Sequence, residues 1–326
     1  MKTQGRAYLR YIRYAVQLWF LLFCIYIGIR FYQFVLHFEK PGHPFVPRPP
    51  SVEGFLPIAG FVSLKYTLFT GIIEPVHPAA LVLFVAIVVV SLVTKKGFCG
   101  WICPVGTVSQ YVWMAGERLF GRNFRMKKEY DIPLRAIKYL VMAFFVVFIG
   151  IAMVPNMIVL FFITDYYKIV DVRTMKFFTE MSRTTAIVLA VIFLLSFLYK
   201  NFWCRYLCPY GALLGLVSKL SPFKIKRNED KCIHCRSCTK NCPTLIDVEK
   251  KEVVNSAECF GCLTCISHCP SEGALNISFR KKRAVKPLYF IATILLVFYL
   301  FVAVGKITGH WQTKLPYSEY QRILGK

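Results

Sequence analysis

Five apolar runs, at about residues 14–36, 78–94, 134–154, 184–199 and 287–304, decide what class of structure is open to this chain of 326 residues. Each carries little charge, and at 1.5 Å per helical residue they reach roughly 25 to 35 Å, the depth of a bilayer's hydrocarbon. A soluble domain of this size has no core able to hide so much apolar surface. With 56% hydrophobic and 18% charged residues, the chain reads as an integral membrane bundle of helices. Residues 55–69 are also apolar but are broken by Pro57, Gly60 and Lys65, so that segment is expected to lie at the interface or to re-enter, with a sixth span as the alternative.

Charge orients the bundle. There are 41 Lys and Arg residues against 17 Asp and Glu, a formal charge of +24. Such a balance suits nucleic acid, anionic lipid or a cytoplasmic membrane face. The spans select the membrane, and no groove-reading element points to DNA or RNA, so no nucleic-acid partner is expected. In the five-span arrangement 29 of the 41 cations fall in residues 1–13, 95–138 and 200–286, all on one side. Cytoplasmic loops hold the excess of Lys and Arg, so the N-terminus is expected in the cytoplasm and the C-terminus in the periplasm of a multi-pass inner-membrane protein. Residues 1–13 resemble a signal-peptide n-region, but the following apolar run is too long and no small-residue cleavage site follows, so retention is expected.

Thirteen cysteines remain to be explained. Between the fourth and fifth spans stand Cys232-x-x-Cys235-x-x-Cys238-x-x-x-Cys242-Pro243 and Cys259-x-x-Cys262-x-x-Cys265-x-x-x-Cys269-Pro270. In this spacing a tight loop offers three thiolates to one iron–sulfur cubane, while the fourth cysteine reaches the other. Cys232, Cys235, Cys238 and Cys269 are therefore assigned to one [4Fe-4S] cluster, and Cys259, Cys262, Cys265 and Cys242 to a second. Zinc does not need eight cysteines in this doubled, proline-terminated order, and disulfides are disfavoured on the reducing side of the membrane. His234 and His268 sit beside ligands as exposed or hydrogen-bonded neighbours. β-prone stretches at 223–226, 253–255 and 274–279 suit a small α+β ferredoxin fold whose folding energy comes largely from its clusters.

Two further pairs follow directly after spans: Cys99-Gly100-Trp101-Ile102-Cys103-Pro104-Val105-Gly106 and Cys204-Arg205-Tyr206-Leu207-Cys208-Pro209-Tyr210-Gly211. This internal CxxxCP repeat, each copy ahead of a weakly amphipathic helix, places four thiols at one depth. Three readings stay open: a third metal or redox centre on Cys99, Cys103, Cys204 and Cys208; small residues that merely shape the turn at the interface; or a reversible dithiol pair. The fold class expected is thus an all-α membrane bundle of about five transmembrane helices, built on two parallel repeats ending in CxxxCP, with an inserted α+β ferredoxin domain carrying two [4Fe-4S] clusters. Its segments are 1–222 for the membrane domain, 223–283 for the cytoplasmic ferredoxin domain, and 284–326 for the fifth span and outer tail.

The paired CxxxCP elements and the doubled cluster motif, with Arg48-Pro49-Pro50-Ser51-Val52-Glu53-Gly54-Phe55-Leu56-Pro57 in support, resemble the NapH-type membrane ferredoxin-like proteins. These are related to the C-terminal half of NosR and to the CcoG (RdxA) proteins. The resemblance covers roughly residues 48 to 280. It implies electron transfer between the quinone pool and another redox protein, such as a c-type cytochrome or a reductase subunit, in an anaerobic respiratory chain, and hence a quinol dehydrogenase type of oxidoreductase. The chain departs from these relatives in lacking the flavin-binding domain of NosR and in having a fifth span.

A quinol site needs an apolar slot, hydrogen-bond partners for the ring oxygens and a group to take protons. Glu53, Glu74 and His77 fall on the outer side and are the candidates, the plainer alternative being solvated loop residues. An outer site would lie about one hydrocarbon thickness, roughly 30 Å, from cytoplasmic cubanes, so quinone near the CxxxCP level is a second location. No haem-attachment C-x-x-C-H, P-loop or dinucleotide fingerprint is found. The alternatives to electron delivery are a maturation factor that reduces copper or another metal held by the CxxxCP cysteines, and a redox-sensing regulatory subunit.

Overall fold

A computed structural model of the chain describes residues 7–280 and 283–325, so the basic positions within residues 1–6 and at 281–282 lie outside the described residues. Helix α1 (Tyr8–Glu39) is one uninterrupted helix, its apolar run free of proline. A 3₁₀ turn (Pro50–Phe55) leads into α2 (Pro57–Thr70), which Gly71 closes at φ 72°. Then come α3 (Pro78–Val93), the single turn α4 (Gly97–Trp101) and α5 (Pro104–Phe120). Helix α6 (Lys128–Val147) runs on as a π-helical turn, Phe148–Ala152. The helices α7 (Pro155–Ile163), α8 (Asp165–Lys168), α9 (Val170–Thr179) and α10 (Arg183–Leu198) follow, and a π-helical turn, Trp203–Leu207, precedes α11 (Pro209–Val217). After the sheet region, with its one-turn helices α12 (Ser237–Lys240) and α13 (Thr264–Ser267), the chain ends with α14 (Pro287–Ile307) and α15 (Tyr317–Leu324). Many of these helices begin on proline, whose fixed φ and missing N–H suit the first helical position.

Among the described residues, three helices are long and apolar enough to cross a membrane: Tyr8–Glu39, Glu129–Ala152 and Pro287–Ile307. Val170–Thr179 and Arg183–Leu198 make a fourth if counted together, although they are bent by 76°. Pro78–Val93 is apolar but has 16 residues, about 24 Å of helix. Leu140 is 69% exposed, Leu296 68% and Ile187 63%. Leucine and isoleucine in such number on the outside of helices require hydrocarbon, not water, around them. Residues 55–69, expected at the interface or re-entrant, form α2. Its Lys65 ammonium donates to the carbonyls of Ile149 (2.9 Å), Gly150 (3.0 Å) and Met153 (2.6 Å), satisfying acceptors that the π-helical turn leaves open.

Contacts divide the chain differently from the three sequence segments. Unit one holds residues 7–21, 88–142 and 188–297, and unit two holds 22–87, 143–187 and 298–325. The division falls inside α1, α3, α6, α10 and α14. Within unit two, Phe31, Phe34, Val35 and Phe38 of α1 pack on Tyr320 and Leu324 of α15, folding the C-terminal tail onto the unit. Leu56, Ala59 and Val62 of α2 pack with Ile158 and Phe162 of α7 and with Tyr167.

Unit one carries an antiparallel sheet in the order β2-β1-β3-β4, made of β1 (Phe223–Arg227), β2 (Val253–Val254), β3 (Leu275–Phe279) and β4 (Arg283–Val285). Ile225 lies opposite Val254 on one side and Ile277 on the other, so the β-prone stretches read from the sequence pair in one register. The edge strand β4 was not anticipated. Its Arg-Ala-Val carries too little apolar alternation to announce a strand, and pairing with β3 is what extends it.

Candidate functional site

The two cluster motifs fold alike. In the first loop His234 and Arg236 have φ of 53° and 59°; in the second, Gly261 and Leu263 at the matching positions have 60° and 60°. Left-handed residues between right-handed ones turn successive N–H groups to one side, forming the concave nest that receives anionic sulfur. Three of the four are not glycine, a strain characteristic of ligand-holding loops. One-turn helices α12 and α13 then carry Cys238 and Cys265, and each motif closes with its cysteine and proline.

A single cavity is lined by Cys242, Cys259, Cys262 and Cys265, with Ile225 and Ile246 among its apolar walls. Cys238 lies in electrostatic reach of Cys235 and Cys269. Cys242 of the first motif thus lies beside Cys259, Cys262 and Cys265 of the second, and Cys269 of the second beside Cys235 and Cys238 of the first. Burial pushes the Cys259 thiol up to about 11 and Cys265 well above its usual value, so sulfur here stays protonated unless a metal takes the proton's place. The donor set and the nests fit iron–sulfur clusters. Among the described residues no three His, Cys, Asp or Glu side chains converge tightly enough for a single metal ion. A cubane, which spreads its ligands around a larger core, has no such requirement. His234 is exposed and bonds Glu249 (3.0 Å), while His268 Nδ1 bonds the Thr264 carbonyl (2.9 Å).

The CxxxCP repeats belong to the same unit. Cys103 and Cys208 occupy the N-cap positions of α5 and α11, with Pro104 and Pro209 next. The Gly211 N–H donates to Cys208 Sγ at 3.2 Å. A Cβ on Gly106 would come within 2.5 Å of the Cys99 carbonyl oxygen, which is why the repeat needs glycine there. Cys99 and Cys204 stand one turn earlier, their thiols driven up by burial and by neighbouring cysteines of both repeats, so the sulfurs of the two repeats lie in electrostatic reach of one another.

Both repeats dock on the loops that carry Cys242, Cys259 and Cys262. Trp101 Nε1 donates to the Gly261 carbonyl (3.1 Å), and Gly100 packs so closely that an added Cβ would be 2.9 Å from the Phe260 carbonyl oxygen. From the other repeat, Arg205 donates to the Thr244 carbonyl (2.7 Å) and, through two nitrogens, to Asp131 (2.8 Å each). Asn201 donates to the Pro243 carbonyl (2.9 Å). Lys138 holds Glu258, next to Cys259, at 2.7 and 2.8 Å. A cavity of about 210 Å³ reaches Cys262 and is rimmed by Arg10, Arg13, Lys200 and Lys240.

In unit two the structure brings Glu53, Glu74 and His77 together. They are 1%, 1% and 0% exposed, so the alternative of solvated loop residues is corrected. Arg48 ties them, donating to Glu53 (2.8 Å) and to Asp171 (2.7 Å), with its remaining nitrogen 3.2 Å from His77 Nδ1. His77 Nε2 faces the Tyr167 carbonyl at 2.9 Å, which can only accept, so this nitrogen carries hydrogen. Nδ1 then accepts from Arg48 in the neutral ring and donates to Glu53 (3.4 Å) in the charged one. Glu74 accepts from Tyr167 OH and from the N–H groups of Val76 and His77. Burial raises Glu74, and the Glu53 carboxylate raises His77 against the effect of burial. Asp171 and Tyr167 were not expected from the sequence. A lone acid and a tyrosine in a mixed segment carry no spacing signal, and only packing puts them beside residues about a hundred positions away.

A family of 4Fe-4S binding domains matches residues 76–127 and 184–228, the two CxxxCP segments, and a 4Fe-4S dicluster family matches 224–270. Among curated proteins, the chain is 43% identical over 96% of its length to the "Putative electron transport protein YccM" of Escherichia coli, covering 89% of that protein. It is 24% identical to the ferredoxin-type protein NapH of Escherichia coli over 51% of its length and 55% of the relative's. It is 25% identical to the protein NirI of Paracoccus denitrificans, over 73% of its length and 34% of the relative's. No solved structure matches the chain.

Proposed function

The chain belongs to the NapH-type family of membrane ferredoxin proteins, and on that basis we propose that it is an integral electron-transfer subunit between the quinol pool and a partner redox protein of an anaerobic respiratory chain. Bound cubanes would supply one-electron transfer, and the chain's part is to hold, bury and order them. The observation that carries the reading is the order of the three thiol groups. The exposed Cys235 opens its set to a partner, none of Cys242, Cys259, Cys262 and Cys265 is exposed, and both CxxxCP repeats abut the loops that carry this second set. A third redox centre on Cys99, Cys103, Cys204 and Cys208 is part of the proposal. The basic rim of the cavity at Cys262 suits an acidic partner surface or an anionic ring.

Proton handling is assigned to Glu53, Glu74 and His77. Because all three are enclosed, they would store and pass protons behind the quinol rather than touch it first, His77 switching its Nδ1 partner from Arg48 to Glu53 as it charges. The five-span arrangement, with N-terminus and ferredoxin segment in the cytoplasm and C-terminus in the periplasm of the inner membrane, completes the reading. The test is anaerobic purification in detergent, iron and sulfide per chain, and EPR before and after a reduced quinol analogue. About eight irons with quinol-reducible signals is the expected result. Eight irons that quinol never reduces would sink the quinol assignment in favour of a maturation role.

A further inference from the structure

We propose that the group bound by Cys99, Cys103, Cys204 and Cys208 is an anionic metal–thiolate centre and that Lys96 is its built-in counter-cation, a positioning residue that sets the centre's potential. The inference rests on the third centre proposed above and names its charge and its electrostatic partner.

Lys96 is 0% exposed, and its ammonium has no hydrogen-bond partner among the described residues. Nζ lies 5.1 Å from the centre of the Phe260 ring and in electrostatic reach of Cys99, Cys204 and Cys208. A Cβ built on Gly211 would be 3.4 Å from Nζ and 3.3 Å from Cys208 Sγ, so ammonium and sulfur face the same space before the N-terminus of α11. One carboxylate, Glu258, is in electrostatic reach of Lys96, but its hydrogen bonds go to Lys138, so it is shared between two ammonium groups. An ammonium taken fully out of water is costly unless an anion meets it. Neutral thiols are poor acceptors and supply no charge. Four thiolates around a cubane outnumber the positive charge they enclose, leaving a net negative group at the position the ammonium faces. The N-termini of α5 and α11, capped by Cys103 and Cys208, favour anionic sulfur in the same direction.

The neighbouring residue makes the placement specific. Lys95, also buried, has φ of 61°, a conformation unusual for a lysine, and this turn sends its ammonium toward Cys259 instead. Thr94-Lys95-Lys96 thus delivers one cation to the second cluster's ligands and the next to the CxxxCP sulfurs. An iron–sulfur cubane carries the required charge and spreads its ligands around a core larger than a single ion.

The test uses the full-length protein, purified anaerobically, as wild type, Lys96→Met, Lys96→Arg, Lys95→Met and Cys99→Ser/Cys208→Ser. Iron, sulfide, copper and zinc per chain are measured together with midpoint potentials by EPR-monitored titration. Metal beyond eight irons, lost in the cysteine variant, is expected, with its identity separating iron–sulfur from copper. Lys96→Met should lose that metal or move its potential downward, since removing a cation disfavours the reduced form. Lys96→Arg should restore it, and Lys95→Met should move only a ferredoxin signal. A third centre unmoved in Lys96→Met overturns the role of Lys96 and leaves the third centre standing. Lys96→Arg failing as completely as Lys96→Met, or ferredoxin signals vanishing along with it, marks Lys96 as packing and also overturns the proposal. No metal beyond eight irons in the wild type removes the third centre and the inference with it.

Discussion

Arg48 is 7% exposed and shares its five donors among Glu53, Asp171 and His77, so one guanidinium joins two acids and a base in unit two. The sign of the resulting pH dependence follows from the direction of the shifts. His77 and Glu74 are both raised in the folded chain, so the folded state holds protons that the unfolded chain would release. Their stabilisation is complete below the unfolded values and is lost as pH climbs through the raised folded ones. For His77 the loss begins above about pH 6.5. The thermal midpoint of the wild type, relative to His77→Gln, should therefore fall between pH 6 and pH 8. A difference that is flat or rises over that range would show that His77 takes no proton in this network.

Helices approach one another here through small residues, as expected where no water drives association. A Cβ on Gly116 of α5 would stand 1.9 Å from the carbonyl oxygen of Phe197 in α10, and one on Gly60 of α2 would stand 2.6 Å from the carbonyl of Ala80 in α3. Gly116→Ala should cost about 1–3 kcal/mol by forcing α5 and α10 apart. The control is Gly28→Ala, since nothing lies within 4 Å of a Cβ there and alanine improves the helix by up to about 1 kcal/mol. Thermal melts of the two variants in detergent decide the matter: equal midpoints would mean the close approach carries no weight. The ligand loops are elements of another kind. Their left-handed residues recur at the same places between the cysteines of both motifs, while the hydrogen bonds that brace them come from distant segments, from Trp101 and Arg205 inside the CxxxCP repeats and from Asn201 just before the second.

For the molecule as a whole, the motif cysteines and the Arg48 charge network lie in different units. Unit one gathers all twelve motif cysteines, and its small sheet and one-turn helices have little core besides the clusters. Unit two packs aromatic and aliphatic side chains around the Arg48 network and contains none of those cysteines. Stripping iron with an anaerobic chelator should open residues 228–270 to protease well before residues 31–77. Simultaneous cleavage in both would show that the clusters govern the entire fold.

Patterns local in sequence were legible without coordinates. Apolar run length announces a membrane helix because each residue adds a constant rise, and cysteine spacing announces a cubane because one loop must deliver three sulfurs at once. The doubled cysteine motif and the CxxxCP repeat could therefore be singled out from the sequence, as could Glu53, Glu74 and His77, which the structure brings together. What surrounds them could not. Lys95 and Lys96 counted toward an inner-face excess of positive charge, yet they are buried against sulfur, and Arg48, Tyr167 and Asp171 enclose His77 from distant segments. Burial and charge pairing depend on which segments meet, a property of long-range packing that no local spacing encodes, and only the folded chain decides whether a lysine faces lipid headgroups or a metal site.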